Sequence, residues 1–139
     1  MVVLIDTNVI VDVMTKREPH YGFSASFMKT CGPLATGCLL ASQTTDIFYL
    51  LRRAGRDADS AKDIIKKLAD NLKILDVTHT DVQNSLEAEM LDFEDALLAC
   101  RAERKKADYI ITRNEKDFAL SRVPALSPQK FLEQFGKSL

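Results

Sequence analysis

The chain has no surplus of positive charge: 19 lysines and arginines stand against 20 aspartates and glutamates, a formal net charge of −1. Global basicity therefore advertises no polyanionic partner, and any nucleic-acid surface has to be local. Cysteine is scarce. Cys31, Cys38 and Cys100 are odd in number and lack metal-ligand spacing, which fits small buried residues in a reducing cytosol rather than a disulfide framework or a zinc site. The two histidines, His20 and His79, lie outside every candidate motif and read as surface or capping residues. No apolar run approaches the roughly 20 residues needed to cross a bilayer. A buried strand starting at residue 2 leaves no room for a signal peptide, so a cytoplasmic location with no membrane partner is expected. Repeats, low-complexity segments and linkers are missing as well. One domain over residues 1–139 is expected, long enough for a two- or three-layer core.

What is present begins with Val2-Val-Leu-Ile5, a short β-branched apolar run that reads as a fully buried strand. It ends in Asp6, with Thr7 ready to open a helix to Met14. After a polar break with Pro19 at a plausible helix start, Tyr21 to Thr30 reads as a helix whose apolar face holds Phe23, Phe27 and Met28. Leu34 to Gly37 reads as a very short strand, and Cys38 to Arg53 as a largely buried helix. An amphipathic helix over Asp57 to Asn71 and a strand over Leu72 to Val77 follow. Two helices, Thr80 to Met90 and Phe93 to Lys106, precede a fourth strand at Tyr109 to Thr112. A short helical turn, an edge strand at Ala125-Leu126 and a helix opening at Pro128 complete the chain. Strands alternating with helices imply an α/β fold with a mostly parallel sheet covered on both faces. If later strands pass to the other side of the first, a crevice forms beside Asp6, where open α/β sheets bind their ligands.

Three later segments carry an acid that can reach that crevice. Asp46 lies inside an otherwise apolar helix, where an ionised carboxylate is unfavourable unless something compensates it. Asp92 reads as a helix N-cap, with Asp95 three residues on among free backbone N–H groups. Asn114 caps a turn in the same way, with Asp117 three residues later and Phe118 anchoring it. Capping alone explains the last two spacings without chemistry. Convergence does not come free: two carboxylates about 4 Å apart repel by roughly 4 kcal/mol at an effective dielectric near 20. A cluster of three or four requires protonation or a bound cation. With oxygen ligands only, that cation is hard, Mg²⁺ or Mn²⁺, and such sites suit in-line phosphoryl displacement.

Leu4-Ile-Asp-Thr-Asn8, Asp46, Asp92-Phe-Glu-Asp-Ala96 and Ile111-Thr-Arg-Asn-Glu-Lys-Asp-Phe118, in this order and over nearly the whole chain, resemble the PIN-domain nucleases. Within that family the set is similar to the VapC-type toxins and their stand-alone prokaryotic relatives. The resemblance implies a three-layer α/β/α fold with strand order 3-2-1-4-5 and Mg²⁺- or Mn²⁺-dependent cleavage of single-stranded or looped RNA. Asp6, Asp95 and Asp117 match the family's acidic, metal-holding positions, and Asp46 stands where the family usually has Glu. Asn8, Thr112 and Asn114 match the polar residues that support the acids, and Asp92 resembles an acid common in the VapC subgroup, read here as a cap. The resemblance further implies a homodimer and a small antitoxin whose tail enters the acidic groove, with the helix around Tyr21 to Met28 as a candidate apolar surface.

Cations for RNA phosphates are available in Arg52, Arg53 and Arg56, or in Arg101, Arg104, Lys105 and Lys106; the bland reading of either set is a solvated helix face. Arg113, next to the last motif, is the first candidate for a phosphate contact, while Phe48 and Tyr49 read as core. Two rival readings remain. A phosphatase or phosphotransfer receiver would also place an Asp after the first strand, but the former wants a second Asp where the chain has Asn8, and the latter an acidic pair and a following Lys. A non-catalytic RNA-binding module results if Asp46 leaves the metal site incomplete.

Overall fold

The computed structural model describes residues 1–136 of the 139; the last three positions of the expected 1–139 domain lie outside the described residues. Five parallel strands, β1 (Val2–Ile5), β2 (Thr36–Leu40), β3 (Lys73–Leu75), β4 (Tyr109–Ile111) and β5 (Ala125–Leu126), form one sheet in the order β3-β2-β1-β4-β5. Successive residues of β1 point to opposite faces, and each face has its own core. Val3 and Ile5 join Ile10, Phe27, Ile47, Leu51 and Phe131 on one side. Leu4 joins Leu97, Leu98, Ile110 and Phe118 on the other. The first side is covered by α1 (Thr7–Met14), α2 (Tyr21–Met28), α3 (Ala41–Arg53), α4 (Ala58–Asn71) and α7 (Pro128–Phe135), the second by α6 (Phe93–Lys105), against which α5 (His79–Glu87) packs. This is the three-layer α/β/α arrangement. Among the described residues no helix is long and apolar enough to cross a membrane.

The largest departure from the sequence reading is β2. Cys38, Leu39 and Leu40, read as the start of a helix, are strand, fully or almost fully buried between β1 and β3. A short apolar run looks the same in a buried strand and a buried helix. The helix begins only at Ala41, where Gln43 Oε1 accepts from the Leu40 N–H at 2.7 Å. Pro19 does not open α2, which starts at Tyr21, and Phe23 is 47% exposed rather than part of the apolar face.

Gly37 marks where β2 lies tightest. A Cβ there would stand 2.8 Å from Cys31 Sγ and from Leu72 Cδ2, and 3.2 Å from Ile5 Cδ1. We expect Gly37→Ala to lower stability by about 1–3 kcal/mol, the usual range for overpacking a filled core. Denaturant titration of the two proteins would measure it, and an unchanged midpoint would contradict this packing.

Candidate active site

Strand β1 lies between β2 and β4, so the chain departs from it in both directions and leaves a crevice at its carboxyl end. Asp6 occupies that crevice. Its backbone N–H donates to the Ile111 carbonyl at 2.8 Å, which extends the β1–β4 pairing to the edge of the site. Its side chain does not cap α1. Instead Oδ2 accepts from Thr112 Oγ1 at 2.8 Å and Asn8 Nδ2 at 3.3 Å. Thr112 is fully buried, and its hydroxyl also accepts from the Asn114 N–H at 3.0 Å, tying the loop after β4 to Asp6. Asn114 caps nothing with its side chain, contrary to expectation. Its backbone carbonyl, rather than its amide, accepts from the Asp117 N–H at 3.0 Å and starts the 3-10 turn Glu115–Phe118. Buried Phe118 pins that turn, so exposed Asp117 is held by a loop anchored at both ends, on the border of a pocket it shares with Asp95.

The helices deliver the remaining acids. Gln43 is a contributor that sequence reasoning missed. Buried under the pocket, it donates from Nε2 to the Ile5 carbonyl at 2.9 Å and to Thr7 Oγ1 at 3.1 Å, clamping the start of α3 onto the end of β1. With α3 fixed there, Asp46 lines one pocket together with Asp6, Glu94 and Asp95. Asp92 caps α6 by accepting from the Asp95 N–H at 2.9 Å, the arrangement expected from the spacing. Asp95 also borders the adjoining pocket with Asp92 and Asp117, and so stands between the two.

The electrostatics give the crowding a scale. Burial pushes the Asp6 carboxyl above its ordinary range; hydrogen bonds from Thr112 and the Thr7 backbone and the charge of Arg113 pull it back, and Asp117 adds to the rise. Asp95 is pushed up to about 6, by burial first and then by Asp92, Asp6 and Asp117. Glu94 goes up to about 7, first because it shares a hydrogen bond with Asp46, then through burial and repulsion from Asp46, Asp92 and Asp6. Glu94 was not singled out in the sequence, although it lies inside the Asp92-Phe-Glu-Asp motif. A second acid in a first helical turn reads as helix stabilisation. The donors are all carboxylate oxygens whose charges oppose one another, a chemistry that suits a hard divalent cation. As the side chains stand, no three His, Cys, Asp or Glu residues among those described are gathered closely enough to hold a metal ion.

Arg113 turns inward. Its Nε stands 2.6 Å from Oδ2 of Asp12, which is 0% exposed, and its Nη1 lies 3.4 Å from His20 Nε2. The approach to Asp12 lacks hydrogen-bond alignment, and neither Asp12 oxygen has a hydrogen-bond partner among the described residues. The cation is thus held largely by charge, close enough to Asp6 to steady that carboxylate. The two arginines of the second cationic strip are also committed: buried Arg101 pairs with Asp76 at 3.0 Å, and Arg104 with Asp81 at 2.8 Å and Asp76 at 3.4 Å. Tyr49, read as core, is 69% exposed.

Several solved structures share this fold. A chain of the VapBC2 complex from Rickettsia felis, bound to a DNA fragment from its promoter, is similar with a TM-score of 0.73 and 15% identity, covering 91% of this chain and 98% of that one. VapBC-1 from nontypeable Haemophilus influenzae gives 0.70 and 17%, over 93% and 99%. VapC20 from Mycobacterium tuberculosis, a sarcin-ricin loop cleaving toxin, gives 0.63 and 16%, over 78% and 86%. At these identities the likeness is one of fold. No curated protein sequence matches. The model of the PIN domain matches residues 2–116, a span that holds β1 through β4 and all of the crevice's acids but Asp117, and the chain belongs to the PIN domain family.

Proposed function

We propose that this chain is a Mg²⁺- or Mn²⁺-dependent ribonuclease that hydrolyses phosphodiester bonds in single-stranded or looped RNA, and that it is the toxin of a toxin–antitoxin pair. The observation that carries the reading is that Asp6, Asp46, Glu94 and Asp95 line one pocket at the end of β1 and Asp117 borders the adjoining one with Asp95, with Asp95 and Glu94 pushed up to about 6 and about 7 by their neighbours and by burial. Such a hollow is unfavourable without a compensating cation. The VapC20 neighbour is described as a toxin that cleaves the sarcin-ricin loop, and the Rickettsia and Haemophilus neighbours as VapBC assemblies. Those descriptions support a toxin role here with an antitoxin partner; a homodimeric state is proposed on the family resemblance alone. Membership in this family sets aside the phosphatase and receiver readings.

Asp6 and Asp95 are proposed to hold the cation most directly, with Asp117 opposite them. Asp46 is one methylene shorter than the family's usual residue, and it shares a hydrogen bond with Glu94. A divalent cation bound here would neutralise charge on the phosphodiester and act as a Lewis acid. Thr112 and Asn8 keep Oδ2 of Asp6 engaged and so fix the orientation of that carboxylate at the end of β1. Glu94, near neutrality in its titration, is placed to hold or release a proton beside Asp46. Purified protein incubated with single-stranded and stem-loop RNA is expected to cut when Mn²⁺ or Mg²⁺ is supplied and to stop in EDTA. Binding of RNA without cutting in either ion would leave the non-catalytic module instead.

The same charges set a pH dependence for the metal-free protein. Asp95 and Glu94 bind protons more tightly folded than unfolded, so their contribution to stability is complete below about pH 4, where both states are protonated. It is lost as pH rises toward about 6 for Asp95 and about 7 for Glu94. In EDTA the melting temperature of wild type relative to Glu94→Gln should therefore fall between pH 4 and 7.5. Mn²⁺ should raise the wild-type value at pH 7.5 and leave it unchanged near pH 4. Scanning calorimetry reads both, and a pH-independent difference would contradict the crowding.

A further inference from the structure

Arg113, Arg101 and Arg104 are already committed to aspartates, while Lys116, which borders the pocket of Asp95 and Asp117, makes no ion pair among the described residues. The outer face of α3 offers what those arginines do not. Ser42, Asp46, Tyr49 and Arg53 follow one another at i, i+4, i+7 and i+11, which places them along one side of the helix. Ser42 and Asp46 line the acidic pocket itself. Tyr49 comes about 4.5 Å further along the axis, and Arg53 about 10 Å beyond Asp46. Tyr49 is 69% exposed, and the edge of its ring meets Phe48 at 5.5 Å and 80°, which orients the ring without covering it. Arg53 is exposed and makes no ion pair among the described residues. Arg52 and Arg56 stand beside it, Arg52 donating to the Arg56 carbonyl at 3.1 Å and Arg56 to that of Met14 at 3.3 Å, and neither guanidinium group has an acidic partner among the described residues. On the other side of Asp46, Glu94 is followed back along the chain by Phe93, 43% exposed.

We propose that α3 is the track for the substrate strand leaving the acidic pocket, with Tyr49 stacking on an unpaired base one helical turn from Asp46 and Arg53 contacting a phosphate beyond it. An aromatic face accepts any base, and it requires that base to be out of a duplex. An arginine one to two turns further on matches the spacing of a strand whose phosphates must be neutralised once they leave the carboxylates' neighbourhood. The inference deepens the nuclease reading and rests on it for the identity of the strand. The same stripe seated against another protein chain is the competing occupant. A stripe ending in three unpaired arginines favours a polyanion over a second copy of itself, because two copies would bring those charges together.

The test is fluorescence anisotropy of a labelled unstructured 12-nucleotide RNA and of its duplex, in EDTA and across a salt series, with sedimentation equilibrium of each protein. Tyr49→Ala is expected to weaken single-strand binding about tenfold and Tyr49→Phe to restore it to within about twofold, since the ring and not the hydroxyl makes the contact. Arg53→Gln is expected to reduce the slope of log affinity against log salt by about 0.7, one phosphate of a single strand. Duplex binding should be insensitive to Tyr49. Equal single-strand affinity of wild type and Tyr49→Ala overturns the track, as does a Tyr49→Ala protein that changes mass in solution, which assigns the ring to a protein interface. Cleavage by wild type with a silent Tyr49→Ala sinks the track and leaves the nuclease reading standing. Tyr49-dependent binding without any cleavage does the reverse.

Discussion

Replacing Asp6 with asparagine is expected to reduce RNA cleavage by at least about a thousandfold, a loss of roughly 4 kcal/mol in charge stabilisation at about 1.4 kcal/mol per tenfold. The substitution keeps the shape of the side chain, and an amide oxygen still accepts from Thr112 Oγ1, now 2.8 Å from Oδ2. The fold should therefore survive. Stability in EDTA should rise, because a carboxylate whose ionised form burial disfavours has been replaced by a neutral group, and the repulsion it shares with Asp95 and Asp117 is removed. Loss of activity together with a higher melting temperature is a signature that misfolding cannot imitate. A folded Asp6→Asn protein that keeps its activity would remove Asp6 from the chemistry.

The second large effect lies away from the acids. Asp12 is fully buried, and Arg113 at 2.6 Å is the charge that compensates it. Arg113→Met leaves that carboxylate buried and unpaired. Breaking such a pair by removing one partner costs about 3–5 kcal/mol, which for a chain of this size is roughly 10–15 °C in melting temperature. Asp12→Leu combined with Arg113→Met should recover most of the loss, because replacing both partners with apolar groups of similar size is often neutral or stabilising. Calorimetry of the single and double variants measures the coupling. If Arg113→Met melts within about 1 °C of wild type, Asp12 is not held by that charge. The double variant also separates two roles, since it restores the fold while leaving Asp6 without the cation that steadies it.

Much of this architecture can be read from residue order. The apolar run at residues 2–5 ends in an acid, and strands alternate with helices, so a parallel sheet with Asp6 at its switch point follows from pattern and chirality. Asp92 as a cap with Asp95 beneath it follows from spacing alone. What spacing does not carry is how each element is rotated. Cys38–Leu40 has no alternation to distinguish strand from helix, because in a central parallel strand both faces are buried. Tyr49 looks apolar in sequence yet lies on the open side of α3, because Ile47 and Leu51 set the buried side. Gln43 and Glu94 act through partners 36 to 48 residues distant, Ile5 and Thr7 for one and Asp46 for the other, and no local pattern announces such contacts. Arg113 lies in the expected motif, but the direction of its side chain is decided by a buried aspartate on a different helix.

The most direct test of the central claim is an anomalous difference map from crystals of the protein grown with Mn²⁺ above pH 7, where Asp95 and Glu94 are ionised. A peak between Asp6, Asp95 and Asp117, with Asp46 and Glu94 turned toward it, is the predicted result. A map with no peak at the carboxyl end of β1, or with manganese bound only elsewhere, would contradict it.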